Sequence, residues 1–240
     1  MTHLQFDRVT VRYPVHNNRT KSLRNNLVRI STGGRLDSES GRIQVVTALD
    51  DVSFEFREGD AVGLIGHNGA GKSTMLRTMA GVYKPTHGAV RRRGRTATVL
   101  ELGAGIDPEL SGYENITRMG VLLGMSIAET KERISEIERF TQLGNFLQLP
   151  VRMYSSGMAT RLMFAVATST RPDILLVDEV FGAGDAEFQE RAKERMSRLI
   201  SSVGIFVFAS HDHELIRTYC NRFLRLEHGR VIEIDRRNVG

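Results

Sequence analysis

The sequence predicts an α/β fold, a sheet with helices packed around it, on three observations. Two short segments, Ile174–Val177 and Ile205–Ala209, are apolar at every position, the pattern of strands buried on both faces. A charged helical pattern from Glu187 to Ser201 separates them, so strand and helix alternate through the second half of the chain. Earlier, an apolar run, Ala61–Ile65, leads into a glycine-rich turn and then a helical pattern from Lys72 to Ala80.

The remaining elements follow in chain order. Leu4 to Tyr13 alternates apolar and polar residues with a one-residue shift after Phe6, and reads as a strand that Pro14 ends. Residues 14–48 are polar and basic and read as an insertion. Within it Leu23, Leu27 and Ile30 recur at helical spacing, with Ser22 placed to cap a short amphipathic helix and Gly33-Gly34 to close it. Asp51–Phe56 is the next strand, followed by a turn at Glu58-Gly59. Thr96–Leu102 reads as a strand. Residues 112–124 and 127–143 read as helices, the second with Ile127, Ile134, Ile137 and Leu143 along one face. A loop from Leu149 to Ser156 leads to a helix from Gly157 to Thr168. Arg222–Leu226 and Arg230–Ile234 form a hairpin around His228-Gly229.

Composition sets the class. With 40% hydrophobic and 25% charged residues in 240, the chain is globular and neither disordered nor fibrous. One cysteine, Cys220, excludes an intrachain disulfide and a cysteine-based zinc cluster, and suits a reducing compartment. Met1–Thr10 lacks the basic start and apolar core of a secretory signal, and no apolar run reaches the roughly 18 residues that span a bilayer. A membrane role therefore works through a partner or a surface contact. The net charge of +5 resides in residues 1–48, which hold eight basic and three acidic residues. The run Arg91, Arg92, Arg93 and Arg95 reads as solvated charge, and no nucleic-acid partner is expected.

Gly66-His67-Asn68-Gly69-Ala70-Gly71-Lys72-Ser73 matches G-x-x-x-x-G-K-[ST], between a strand and a helix as that motif requires. Glycines let the backbone wrap phosphates with its N–H groups pointing inward, and the helix start adds its positive dipole end. Lys72 supplies a point charge for the β- and γ-phosphates, and Ser73 a hydroxyl for Mg²⁺. The nucleotide-binding set is completed by Thr74. Ile174–Val177 ends in Asp178-Glu179 at the carboxyl edge of a strand, where α/β sheets bind ligands. Asp178 is the candidate Mg²⁺ ligand and Glu179 the candidate base toward the attacking water.

Tyr154-Ser155-Ser156-Gly157-Met158, before a helix and between those two motifs, makes the chain resemble the nucleotide-binding subunits of ABC transporters. The resemblance is to the branch that exports cell-surface polysaccharides. It covers the chain outside residues 14–48 and implies a RecA-like P-loop ATPase core, an N-terminal antiparallel β subdomain and an α-helical signature subdomain at about 103–170. The family signature Leu-Ser-Gly-Gly-Gln is degenerate here; Ser155 and Gly157 remain. By resemblance, Ser155, Ser156, Gly157 and Met158 face the γ-phosphate held by the second subunit of a head-to-tail homodimer, so ATP and Mg²⁺ are the expected ligands. Tyr13 falls where an aromatic ring stacks on adenine. His211, in Ala209-Ser210-His211-Asp212, matches the switch histidine at the γ-phosphate, a catalytic role shared with Glu179. Asp185 matches the dimer-contact loop. Glu101 stands where most members carry a glutamine that touches Mg²⁺; an acid there adds negative charge.

Leu100–Gly105, Pro108-Glu109 and Gly112-Tyr113-Glu114-Asn115-Ile116 resemble the same stretch of O-antigen, capsule and teichoic-acid exporters. The resemblance thus implies an ATP-hydrolysing subunit that drives export of a lipid-linked polysaccharide with two transmembrane permease subunits. Its implied place is the cytoplasmic face of the plasma membrane, as a single 1–240 domain with no C-terminal carbohydrate-binding domain. Export of another lipid or a drug, and a soluble ABC ATPase or non-catalytic nucleotide-binding scaffold, are the competing readings.

Overall fold

The computed structural model describes residues 1–16, 36–39, 43–99, 105–178 and 186–239. In chain order its strands are β1 (His3–His16), β2 (Leu36–Glu39), β3 (Ile43–Arg57), β4 (Asp60–Ile65), β5 (His87–Arg93), β6 (Thr96–Val99), β7 (Ile174–Asp178), β8 (Ile205–Ala209), β9 (Arg222–Glu227) and β10 (Arg230–Ile234). Its helices are α1 (Lys72–Ala80), α2 (Gly112–Leu122), α3 (Ile127–Thr141), α4 (Ser156–Ala167), α5 (Ala186–Ser202) and α6 (His213–Tyr219). The chain forms two compact units. The first comprises Met1–Gly94, Leu176–Asp178 and Gly204–Gly240; the second, Arg95–Leu175 and Glu179–Val203.

The first unit holds two sheets. One is antiparallel, in the order β2-β3-β1-β5. The one-residue shift in the hydrophobic pattern of β1 is a real irregularity: the register with β3 slips between Phe6 and Val9, and Arg8 takes a positive φ of 48°. The slip returns Val9 and Val11 to the buried face beside Leu4 and Phe6. Two expectations fail here. Pro14 does not end β1, which continues to His16 opposite β3. Pairing with β5 stops at Thr10, so Pro14 sits where β1 has a single described neighbour and its missing N–H is tolerated. β3 also starts at Ile43 rather than Asp51, because a positive φ at Asp51 and register shifts break its alternation. It pairs with β2, so part of the 14–48 insertion is strand. The amphipathic helix expected around Leu23–Ile30 lies outside the described residues.

The arginine run hides a further strand. β5 pairs Arg91 with Gln5 and Arg92 with Leu4 on β1. The Arg92 guanidinium donates to the carbonyls of Met79 and Ala80, the last residues of α1. These charges therefore bind the structure as well as water.

The second sheet of this unit runs β10-β9-β4-β8 and on to the end of β7. β4 lies parallel to β8, with Leu64 opposite Ala209, and parallel to β9, with Leu64 opposite Leu224. All five residues of β8 are buried, which is why it reads as an unbroken apolar run. A short helix, α6, was not visible in the pattern; Asp212 caps it by accepting from the N–H groups of Glu214 and Leu215.

The second unit is built on helices, with β6 beside the start of β7. Ile116, Ile137, Leu147, Leu162, Ala165 and Val166 form its buried core. Each of α2 and α3 opens on a capping box, Ser111 with Glu114 and Ser126 with Glu129. Both helices stop two residues earlier than expected, and α4 starts one residue earlier, at Ser156. Asn115 is fully buried and ties down the loop before α2. Its Nδ2 donates to the carbonyls of Asp107, Leu110 and Ser111, and its Oδ1 accepts from the Asp107 N–H.

Candidate functional site

The carboxyl ends of β4, β8 and β7 carry the chemistry of the first unit. β4 ends at Ile65 and runs into the glycine loop; the loop feeds α1. Two glycines are required by the space around them. A Cβ on Gly66 would lie 2.6 Å from the Leu226 carbonyl oxygen. Gly71 has φ of +110° and a Cβ there would lie 2.6 Å from the Ala48 carbonyl oxygen. Gly71 is also the N-cap of α1, and being glycine it brings no side chain to bond the first N–H groups of the helix. Those donors point out of the helix start, where an anion meets both them and the dipole.

Lys72 opens α1 and is only 8% exposed. Its Nζ donates to the Gly66 carbonyl at 2.5 Å and the His67 carbonyl at 3.3 Å, which holds the ammonium against the mouth of its own loop. Ala70 is buried and its N–H bonds the His67 carbonyl, closing the loop as a tight turn. His67, Asn68 and Gly69 are exposed. Ser73 Oγ donates to Asp178 Oδ2 at 2.8 Å. This contact joins the loop motif to the strand motif, 105 residues away in the chain. Side-by-side hydroxyl and carboxylate oxygens at a helix N-terminus suit a small hard cation that takes its other ligands from phosphate and water. Among the described residues no group of three or more His, Cys, Asp or Glu could form an all-protein metal cage.

Tyr13 reaches the same helix. Its hydroxyl donates to Thr74 Oγ1 at 3.4 Å, and its ring meets Tyr83 edge-on at 5.5 Å. Burial raises the Tyr13 pKa above that of an ordinary phenol, against the lowering effect of the Thr74 hydrogen bond. Arg77 lies over the Tyr83 ring. Tyr83 was not visible as a site residue, since nothing in the linear pattern links it to Tyr13. His211 is exposed beyond the end of β8, the strand that lies directly beside β4. His228, in the β9–β10 turn, faces His67 with ring centroids 5.9 Å apart, a neighbour that only the folded hairpin reveals.

The second unit presents Ser155–Met158. Ser155 is the N-cap of α4, and its Oγ accepts from the Met158 N–H at 3.2 Å. Ser155 and Ser156 are exposed, and the nearest atom to a Cβ on Gly157 would be Ser155 Oγ at 3.9 Å, an ordinary van der Waals contact. The preceding residue fixes this turn. Tyr154 donates its hydroxyl to the Phe146 carbonyl at 2.7 Å and leaves room for nothing larger than glycine at position 112. Its pKa is raised, first by burial and then by Tyr113. The structure thus brings Tyr13, Lys72, Ser73, Thr74 and Asp178 together in one unit and sets Ser155–Met158 at an exposed helix start in the other. Glu179, Glu101 and Asp185 lie outside the described residues.

The model of the ABC transporter family matches residues 49–182, a span that includes the glycine loop, Ser155–Met158 and Asp178-Glu179. The chain belongs to the ABC transporter family. It is an ABC transporter ATPase. The O-antigen export system ATP-binding protein RfbE of Yersinia enterocolitica is 63% identical over 233 residues, 97% of this chain and 98% of that protein. The teichoic acids export ATP-binding protein TagH of Listeria monocytogenes is 33% identical over 96% of this chain and 66% of its own length. Among solved structures, the dimeric post-hydrolysis state of the ATP-binding cassette MJ0796 bound to ADP and Pi matches with a TM-score of 0.70. It covers 98% of this chain and 99% of that one at 23% identity, so the likeness is one of fold. The expected ABC ATPase fold is therefore the one this chain adopts.

Proposed function

We propose that this ATPase hydrolyses ATP to drive export of a lipid-linked, O-antigen-like polysaccharide across the cytoplasmic membrane, acting with two separate transmembrane permease subunits. The observation that carries the substrate class is the 63% identity to an O-antigen export ATP-binding protein along nearly the whole of both chains. The subunit works from the cytoplasmic face as a peripheral component; no described helix is long and apolar enough to cross a membrane. The basic 14–48 insertion, with six basic and two acidic residues, supports contact with an anionic membrane surface or glycan lipid.

The chemistry follows from the site. The α1 start and Lys72 receive the β- and γ-phosphates, and Tyr13, whose hydroxyl bonds Thr74 of the same helix, stacks on the adenine. Ser73 and Asp178 are the residues that would hold Mg²⁺, which neutralises charge on the phosphates. Glu179 orients and deprotonates the attacking water, and His211 supports the γ-phosphate from the end of β8. Two copies close head to tail, so that the Ser155–Met158 turn of each meets the γ-phosphate on the other. The closed state exists only while that phosphate adds its binding free energy, and its loss reopens the pair.

Glu179→Gln is the test of the cycle: the variant forms a stable dimer with ATP by size-exclusion chromatography and hydrolyses little. Rapid turnover by that variant removes Glu179 as the base. Deletion of the gene with complementation tests the substrate class. Loss of surface O-antigen-like glycan, restored by the wild-type chain and not by Lys72→Ala, is the expected result. Intact surface glycan in the deletion strain overturns it.

A further inference from the structure

We infer that Arg195 is a positioning residue for the Ser155–Met158 turn, acting on α4 from its far end. The inference rests on the reading that this turn meets the γ-phosphate of the partner copy. α4 has 12 residues, a rod about 18 Å long. A phosphate contact at its N-terminus needs that rod held against tilt and slide, and hydrogen bonds within the helix do not do so. Arg195, on α5, supplies the hold. Its Nε donates to Thr168 Oγ1 at 2.7 Å and its Nη2 to the Ala165 carbonyl at 3.4 Å. Thr168 is the C-cap of α4, and its hydroxyl proton is committed to the Phe164 carbonyl at 2.7 Å, so its oxygen is oriented to accept from Arg195.

Two further contacts fix the guanidinium itself. Its Nη2 pairs with Glu136 on α3 at 2.8 Å, and it lies 4.5 Å above the Phe140 ring. The side chain is 12% exposed. Burial lowers the Arg195 pKa, against a weaker raising effect of Glu136. A positive charge at the last carbonyls of α4 also complements the helix dipole. One planar group therefore joins the C-terminus of α4, α3 and α5 into a single body. α5 begins at Ala186, directly after the segment that carries Glu179 and Asp185. Phe188 near the start of α5 packs edge-on against Phe164 of α4, with ring centroids 5.9 Å apart, so the two helices are coupled at a second level.

The test compares Arg195→Met, Arg195→Lys and Thr168→Val in the full-length chain, with Ser155→Arg alongside. Turnover is measured as ATP hydrolysis per chain, nucleotide binding by a fluorescent ATP analogue, and folding by circular-dichroism melting. A lysine keeps the charge and loses the fork that bonds two acceptors at once. Expected is a turnover loss of about tenfold for Arg195→Met and a smaller loss for Arg195→Lys. Thr168→Val, which keeps the Glu136 pair, falls severalfold in turnover and melts only a few degrees lower, since it loses the Arg195 and Phe164 hydrogen bonds. Analogue binding stays within about twofold in all three. Wild-type turnover in a folded Thr168→Val or Arg195→Met overturns the inference. So does parallel loss of turnover and analogue binding in every variant, which marks a fold effect alone. Ser155→Arg separates the two readings: if it hydrolyses ATP like the wild type, the trans-phosphate reading fails. If it is inactive while the Arg195 and Thr168 variants are fully active, only the positioning role fails.

Discussion

α1 and α4 both begin where a phosphate is proposed to bind, and they begin differently. α1 opens on Gly71 in a left-handed conformation with no side-chain cap, and Lys72 brings a buried charge to the helix start. α4 opens on Ser155 in extended conformation, whose hydroxyl already satisfies the Met158 N–H, and neither Ser156 nor Gly157 brings a charge. The first is a cradle that is shaped and charged before any ligand arrives. The second is a neutral, capped helix end that offers its remaining N–H groups and dipole. A site of the second kind adds little affinity alone. It suits a contact made late, to a phosphate already held elsewhere.

That contrast is sharpest at Lys72. Lys72→Ala removes the charge and leaves α1 to start on backbone donors alone. Hydrolysis is expected to fall on the order of a hundredfold or more, and analogue binding to weaken with it. Measured turnover near wild type would place the phosphates elsewhere.

The glycines give the next test. Gly71→Ala forces a Cβ into the Ala48 carbonyl at an unfavourable φ, so it costs about 1–3 kcal/mol of stability and distorts the cradle. Gly157→Ala makes only an ordinary contact with Ser155 Oγ in the first turn of a helix, where alanine is the better helix former, so its melting temperature should hold or rise slightly. Yet its hydrolysis should fall, because the added methyl group stands where the proposed head-to-tail dimer brings a partner's nucleotide. Thermal melts of the two variants, read beside turnover, separate a glycine needed by the fold from one needed by a ligand. If Gly157→Ala is stable and fully active, α4 does not meet nucleotide at its start.

Ser155→Ala is a smaller perturbation. It removes a cap whose loss costs about 1 kcal/mol. Turnover is expected to drop severalfold while analogue binding is retained, since the proposal has α1 hold the bound nucleotide. Equal loss of both would place Ser155 in the same binding step as Lys72.

The same contrast explains what the sequence revealed. The glycine loop is a contiguous string, so its chemistry and its strand-to-helix setting were both readable. β8 and β7 showed as unbroken apolar runs because both faces are buried. β5 did not show, since its arginines are exposed or spent on the α1 carbonyls, and charge at an edge strand erases the alternation. β3 reads short in the sequence because its irregular register breaks a period of two. Contacts made across the fold carry no linear mark at all: Tyr83 against Tyr13, His228 against His67, and Arg195 beneath α4. Ser73 with Asp178 is legible as a pair only because each ends a recognisable motif.

The smallest effect concerns how the second unit holds its helices. Glu114 and Glu129 each close a capping box, and their pKa values lie below the ordinary 4.5. For Glu114 the cause is the Ser111 hydroxyl and then the Ser111 N–H; for Glu129 it is the Ser126 N–H, the Ser126 hydroxyl and then Arg95. A carboxylate with a depressed folded pKa stabilises the fold fully above its unfolded value. That contribution is lost as pH falls through the folded value. The melting temperature should therefore decline below about pH 4.5. A Glu114→Gln, Glu129→Gln double variant should melt slightly lower at pH 7 and lose less on acidification, because glutamine has no proton to gain. An acid slope identical to the wild type would show that other carboxylates set the acid stability.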